Sequence, residues 1–250
     1  MVCIMDPVCL YIFGKPIYWY GIMVALGFLA AVVHLTLLGK RDGRPAAFGS
    51  DLAFWLMLSG VLGGRVAYVL ADLDYFLREP WAIIRIDQGG LIYYGGFIAA
   101  FFAGFIFARL HRIAFPDLAD YAITAVPLGH AFGRIGCFLN GCCGGKVSNV
   151  PWAVFQHGAC RHPVQLYEAL INLVIYVLLL AVYCRRRRSG EVLALYCMTY
   201  GAARFFLEFL RDDERLVSQC LSIGQIVSLA LFAVGAIIWI GSRRLKISER

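Results

Sequence analysis

Residues 130–145 read HAFGRIGCFLNGCCGG, and they break the rules of the segment that carries them. The preceding stretch, 121–128, reads as a lipid-soluble helix. A histidine and an arginine, His130 and Arg134, then fall at membrane depth. Gly129, Gly133 and Gly136 allow other backbones to come close, and Asn140 and three cysteines, Cys137, Cys142 and Cys143, follow. A charged side chain at the bilayer centre costs roughly 2.5–3.5 kcal/mol even on the lenient insertion scale. A chain keeps such a charge where it meets a partner or a polar substrate, so Arg134 is the first candidate site residue. The bland alternative is an arginine whose stem lies in apolar surroundings while its head snorkels to the interface.

Working outward, the bulk composition says what kind of chain carries this stretch. Of 250 residues, 61% are hydrophobic and 16% charged, with a mean hydropathy of +0.73. Soluble domains run at about 45–50% apolar and about 25% charged. The excess predicts an all-α integral membrane protein. The net charge of +7 then calls for no nucleic acid, because Lys and Arg collect in cytoplasmic loops beside anionic lipid. No cleavable signal peptide is expected, since the first residues lack a basic region and the first apolar run is too long. Spanning helices need about 20 apolar residues. Seven candidates result: roughly 17–38, 51–71, 91–110, 121–139, 164–184, 191–210 and 222–241. The second and sixth carry Arg65 and Arg204. The fourth carries His130 and Arg134, and a hydropathy scan is expected to miss it.

Loop charge sets orientation. Thirteen of the 23 Lys and Arg fall on one side: Lys40, Arg41, Arg44, Arg109, Arg112, Arg185 to Arg188, Arg243, Arg244, Lys246 and Arg250. Seven fall on the other (Lys15, Arg78, Arg85, Lys146, Arg161, Arg211 and Arg215), and three lie within spans. The expected topology is N-terminus outside and C-terminus cytoplasmic, in a single polytopic domain over 1–250. Gly60 and Gly64 have the spacing that lets helices touch, and packing is their simplest role.

Nine cysteines are present. Cys137, Cys142, Cys143, Cys160 and Cys220 fall at or near the outer face, with Cys3 and Cys9 at the N-terminal end. Disulfides form on the oxidising side, so a bridge from Cys142 or Cys143 to Cys160 is expected. Reduced packing cysteines, or a metal or reactive thiolate, are the alternatives. The C-x4-C-C spacing is not that of a zinc site, and no metal or cofactor is expected. Cys184 and Cys197 read as apolar filler. His130 and His162 are candidate bases by chemistry, although a lone histidine on an apolar helix is more often a satisfied core group.

The polar residues expected at or near the outer face are Tyr20, Arg65, Tyr94, Arg134, Asn140, Gln165, Tyr167, Glu168, Arg204, Glu208 and Arg211. Arg204 and Glu208 share a helix face. Arg134 has no acid within a turn, so its expected counter-charge is an anion from outside the chain. Several arginines with few acids suit a phosphodiester, which guanidinium binds as a fork. There is no nucleotide-binding glycine loop and no HExxH helix.

Seven stretches, in order, resemble a known family: WYGIMVALGF (19–28), GVLGGRVAYVL (60–70), DQGGLIYYGGFIAA (87–100), GRIGCFLNGCCGG (133–145), RHPVQLYEAL (161–170), YGAARFFLEFLRDD (200–213) and LSIGQIVSL (221–229). The chain looks like a phosphatidylglycerol–prolipoprotein diacylglyceryl transferase. The resemblance implies seven spanning helices in the bacterial inner membrane. It implies transfer of diacylglyceryl from phosphatidylglycerol to the lipobox cysteine thiol of a preprolipoprotein. It also implies catalytic roles for Arg134, Arg204, Tyr94 and Glu208. By the same resemblance Tyr20, Asn140, Gly145, Tyr200 and Glu208 fall on positions that shape the site, and Arg65, Gly95, Gly96, His162, Gln165, Tyr167, Glu168 and Arg211 are expected beside them as substrate contacts. Three positions differ from the family pattern: Tyr94 stands for histidine, Cys137 for asparagine and Cys142 for glutamate. A paralogue with another acceptor, or a non-catalytic lipid- or lipoprotein-binding membrane protein, is the alternative reading.

Overall fold

The computed structural model describes residues 6–85, 89–212 and 221–242. Cys3, Cys220, Asp87, Gln88, Arg215 and the basic cluster at 243–250 lie outside the described residues. A short hairpin, β1 (Val8–Ile12) and β2 (Lys15–Tyr18), leads into α1 (Trp19–Arg41) and α2 (Phe48–Ala71). Next come α3 (Leu73–Arg78), a 3-10 turn (Pro80–Ile84), α4 (Tyr93–Leu110), α5 (Phe115–Ile123) and α6 (Val126–Leu139). A second hairpin, β3 (Val154–Gln156) and β4 (Ala159–Arg161), precedes α7 (Val164–Arg185), α8 (Glu191–Glu208) and α9 (Ile223–Ser242). The chain is an all-α, multi-pass membrane protein.

Six stretches are long and apolar enough to cross a membrane among the described residues, with Phe115–Leu139 counted as one. The expected fourth span is therefore not the one that a hydropathy scan passes over. That is α8, which carries Glu191, Arg204 and Glu208 within 18 residues. The fourth span is instead broken between α5 and α6. Pro127 explains the break, because it has no N–H to offer Ile123 and its ring crowds that carbonyl. Thr124 Oγ1 donates to Tyr121 O (2.7 Å) at the same place.

The chain divides into two compact units, residues 32–119 and residues 1–31 with 120–250. In the first, α2 and α4 meet through glycines. A Cβ placed on Gly63 would lie 2.6 Å from Gly95 O, and one on Gly96 would lie 2.7 Å from Gly60 O. This is the close helix approach expected from small residues, and it draws in Gly95 and Gly96. In the second unit, α9 lies against α8 in the same way: a Cβ on Gly201 would stand 2.8 Å from Ser228 O.

Asp120 is fully buried in the second unit and holds α8 to α5. Its carboxylate accepts from Gly190 N (2.8 Å) and Leu193 N (2.9 Å). Gly190 is the N-cap of α8, at φ 85. The charge thus satisfies amides that a helix start otherwise leaves unpaired. Asp120→Ala should cost about 1–3 kcal/mol for each amide stranded without a partner. Thermal denaturation in detergent should show a clear drop. An unchanged midpoint would mean that the cap contributes nothing.

Candidate functional site

The site is built on Glu168, in the second turn of α7. Its carboxylate is 1% exposed, yet it is ringed by donors. Arg134 Nε lies 3.1 Å from Glu168 Oε2, and His130 Nε2 lies 3.4 Å from Oε1. Tyr200 of α8 donates to Oε1 at 3.2 Å, and Asn172 Nδ2 donates to the Glu168 carbonyl at 2.8 Å. One acid therefore ties α6, α7 and α8 together. This corrects the expectation that Arg134 finds its counter-charge only outside the chain. Glu168 is 34 residues away in sequence, so helical spacing around Arg134 does not reveal it.

His130 sits between a donor and an acceptor. Arg134 Nε donates to His130 Nε2 at 3.2 Å when that nitrogen is bare. When it is protonated, it donates to Glu168 instead. One proton decides which contact exists.

A second acid, Glu208, repeats the pattern. Arg204 Nη1 lies 2.9 Å from Glu208 Oε2, and Arg211 Nε lies 3.7 Å from the same oxygen. Ser222 Oγ donates to Oε1 at 2.9 Å and is itself set by Gln225. Ser222 and Gln225 escape sequence reasoning because nothing in their spacing points back to Glu208. The two clusters are neighbours: Arg134 and Arg204 both act electrostatically on His130 and on Tyr200. Tyr200 stacks on Tyr196, ring centroids 5.5 Å apart. Among the described residues, no acceptor takes the Nη groups of Arg134. Arg204 spends Nη1 on Glu208. Each guanidinium keeps an open edge and stays slightly exposed, at 19% and 17%.

The segment after α6 frames this cluster. Gly141 (φ 69) and Cys143 (φ 59) adopt left-handed backbone. Gly141 N donates to Phe138 O and Cys142 N to Cys137 O, both at 3.1 Å. These are the two bonds of a Schellman helix ending, which folds the residue two past the cap onto the helix's last turns. Cys142 is thereby laid over Cys137, and its thiol reaches Cys137 O at 3.6 Å. The Sγ atoms of Cys137, Cys142 and Cys143 all lie within 4.8 Å of one another. The expected bridge to Cys160 does not form, and all seven described cysteines are free thiols. The helix ending is the reason: it turns Cys142 back over its own helix. Hydrogen bonding by the Cys137 thiol, helped by the Cys142 thiol and Arg211, holds Cys143 down at about 5; burial pushes Cys142 up.

Gly145 is buried where three segments meet. Its N donates to His162 O (3.0 Å), and Lys146 N donates to Leu210 O (2.8 Å). A Cβ there would stand 2.7 Å from both His162 O and Leu210 O, so only glycine fits. Gln165 Nε2 donates to Cys142 O at 2.7 Å, and Asn140 caps α6. His162 Nδ1 meets Tyr167 OH at 3.3 Å, and Trp152 Nε1 donates to that hydroxyl at 2.6 Å. Arg161 pairs with Asp212. Tyr20, half exposed, starts α1, and its ring packs where Gly136 has no side chain.

The remaining expected residues belong to the other unit. Arg65 is buried, and its guanidinium donates to backbone carbonyls at Ile83 (2.9 Å), Gly89 (2.8 Å), Gly90 (3.0 Å), Ala82 and Arg85. In place of an open fork for a ligand, it organises the turn before α4. Gly95 and Gly96 are helix contacts with α2. Tyr94 is 65% exposed, edge-on to Tyr93.

A model of the prolipoprotein diacylglyceryl transferase family matches residues 7–241. The chain belongs to this family. Phosphatidylglycerol–prolipoprotein diacylglyceryl transferase of Finegoldia magna is 35% identical over 237 residues, covering 94% of this chain and 95% of the relative. Proteins of the same name from Geobacter sulfurreducens (36%, 92% of each chain) and Methylobacillus flagellatus (37%, 96% and 97%) align as fully. In this member of the family the stretch at 133–145 ends a helix and brings three thiols together.

Proposed function

We propose that this protein transfers the diacylglyceryl group of phosphatidylglycerol to the lipobox cysteine of a preprolipoprotein. It works in the bacterial cytoplasmic membrane, with its N-terminus outside and its C-terminus inside. The observation that carries this reading is the pair of arginines, Arg134 and Arg204. Each is neutralised on one side by a buried acid and open on the other, and the two are linked through Tyr200 and His130.

In the reaction a carbon–sulfur bond forms and the carbon–oxygen bond to phosphate breaks. Glycerol phosphate leaves, and the thiol's proton ends on that phosphate, whose second ionisation lies near pH 6. The open edges of Arg134 and Arg204 bind the phosphodiester. They bind more tightly as charge builds on the departing group, which is what accelerates a step rather than merely holding a substrate. Glu168 and Glu208 aim the two guanidinium groups. Tyr200 and His130 hold Glu168, while Asn140, Gly145, Gln165 and Arg211 set the loop and helix ends beside them. His162 and Tyr167 bracket the hairpin side. Tyr20 borders the α6 turn. Arg65, Tyr94, Gly95 and Gly96 carry no step of this reading.

The test is complementation. A host depleted of its own transferase should regain growth, and a lipobox reporter should gain the diacylglyceryl mass, when this chain is expressed. Good expression without reporter modification would support the non-catalytic lipid-binding alternative. Phosphatidylglycerol turnover without a modified lipobox would point to another acceptor. The cysteines at two family positions motivate that comparison.

A further inference from the structure

We propose that Cys137, Cys142 and Cys143 form a three-sulfur site for a soft, singly charged d10 cation, copper(I) in its chemistry. The argument begins with the backbone. The Schellman ending of α6 forces the side chains of residues 137 and 142 together, a contact usually made by two apolar groups. Here both are cysteine. The left-handed residue that follows, Cys143, brings in the third sulfur. This is the one group of three potential metal-binding side chains among the described residues.

The size fits. Even with all three sulfurs at the 4.8 Å limit of their separation, the point equidistant from them lies no more than about 2.8 Å from each. A metal–thiolate bond is about 2.3 Å, so each sulfur need move in by no more than about 0.5 Å, within the reach of small side-chain rotations. Softness decides the ion: thiolates select copper(I), zinc and iron–sulfur clusters over hard cations. Coordination number decides among these. Structural zinc wants four ligands, and no fourth histidine, cysteine or carboxylate joins the group among the described residues. Three-coordinate copper(I) needs none.

Charge supports the same choice. The bound state has three thiolates around one positive charge, a net of minus two. Arg134 and Arg211 both act electrostatically on Cys143 and offset that excess. The C-terminal end of α6 presents its carbonyl dipoles to the same place, which favours a cation there. Cys137 and Cys142 are half-buried and Cys143 is exposed, so an ion can enter from one side and be held on the other.

The test uses full-length protein in detergent, reduced and kept free of oxygen, titrated with copper(I) against a chromophoric copper(I) chelator. One equivalent should bind. Binding should weaken at least tenfold in Cys142→Ser and in Cys137→Ser, and stay unchanged in Cys160→Ser. Because a serine variant could fail by misfolding, the unaltered protein is also alkylated with and without copper(I), and the labelled peptides are weighed. The ion should protect Cys137, Cys142 and Cys143 while Cys9, Cys160 and Cys184 react as before. No uptake against the chelator, equal uptake by Cys142→Ser, or protection of other cysteines in place of these three would overturn the site.

Discussion

Arg134→Lys and Arg204→Lys are each expected to lower diacylglyceryl transfer by about 100- to 1,000-fold, the usual loss when one donor to a developing negative charge is removed. Lysine keeps the positive charge. What it loses is the planar fork: one edge on a buried acid, the other facing the departing phosphate. A single ammonium cannot do both. The loss should appear in kcat as well as in KM, because the contact strengthens as the phosphate leaves. Fluorescence-detected size exclusion should show the protein still folded. Transfer to a lipobox peptide, followed by its mass shift, is the measurement. If Arg134→Lys works at the unaltered rate, these guanidiniums are structural and the phosphate is held elsewhere.

The second large effect is expected at Glu168, on stability rather than rate alone. Glu168→Ala leaves Arg134 uncompensated and strips a partner from Tyr200 and His130. Removing one member of a buried ion pair costs about 3–5 kcal/mol, because the survivor remains desolvated. Glu168→Gln keeps the shape and drops the charge, so it should fall between. The informative variant is the double one. Arg134→Met with Glu168→Leu removes both charges and should be more stable than Glu168→Ala, although it is inactive. Equal destabilisation in the double variant and in Glu168→Ala would show that packing, not charge, sets the cost.

Much of the fold was legible in the chain. Hydropathy marks the helices, and glycine spacing marks the α2–α4 contact. Arg204 with Glu208 was readable because a helix repeats every three to four residues. Arg134 with Glu168 was not, because that pair closes between α6 and α7, across a loop and a hairpin. Arg65 misled for a related reason. A buried arginine suggests a ligand by its cost, but carbonyl oxygens of a turn satisfy it equally well, and those have no sequence signature. The thiol cluster could have been read: Asn140-Gly141 is a helix ending, and counting three residues back from the cap and two forward gives Cys137 and Cys142. The pull of a disulfide to Cys160 hid it. Asp120 was invisible, because a cap supplied by another helix leaves no mark near the helix it caps.

The polarity of α8 bears on how the protein is made. A helix with Glu191, Arg204 and Glu208 gains little by leaving a protein-conducting channel for lipid on its own. Its Tyr200 needs Glu168, and its first turn needs Asp120. All of these partners precede it in the chain. Biogenesis therefore has a built-in order: α5, α6 and α7 must be synthesised and waiting beside the channel before α8 can settle. Part of what admits α8 to the membrane is laid down some seventy residues before it.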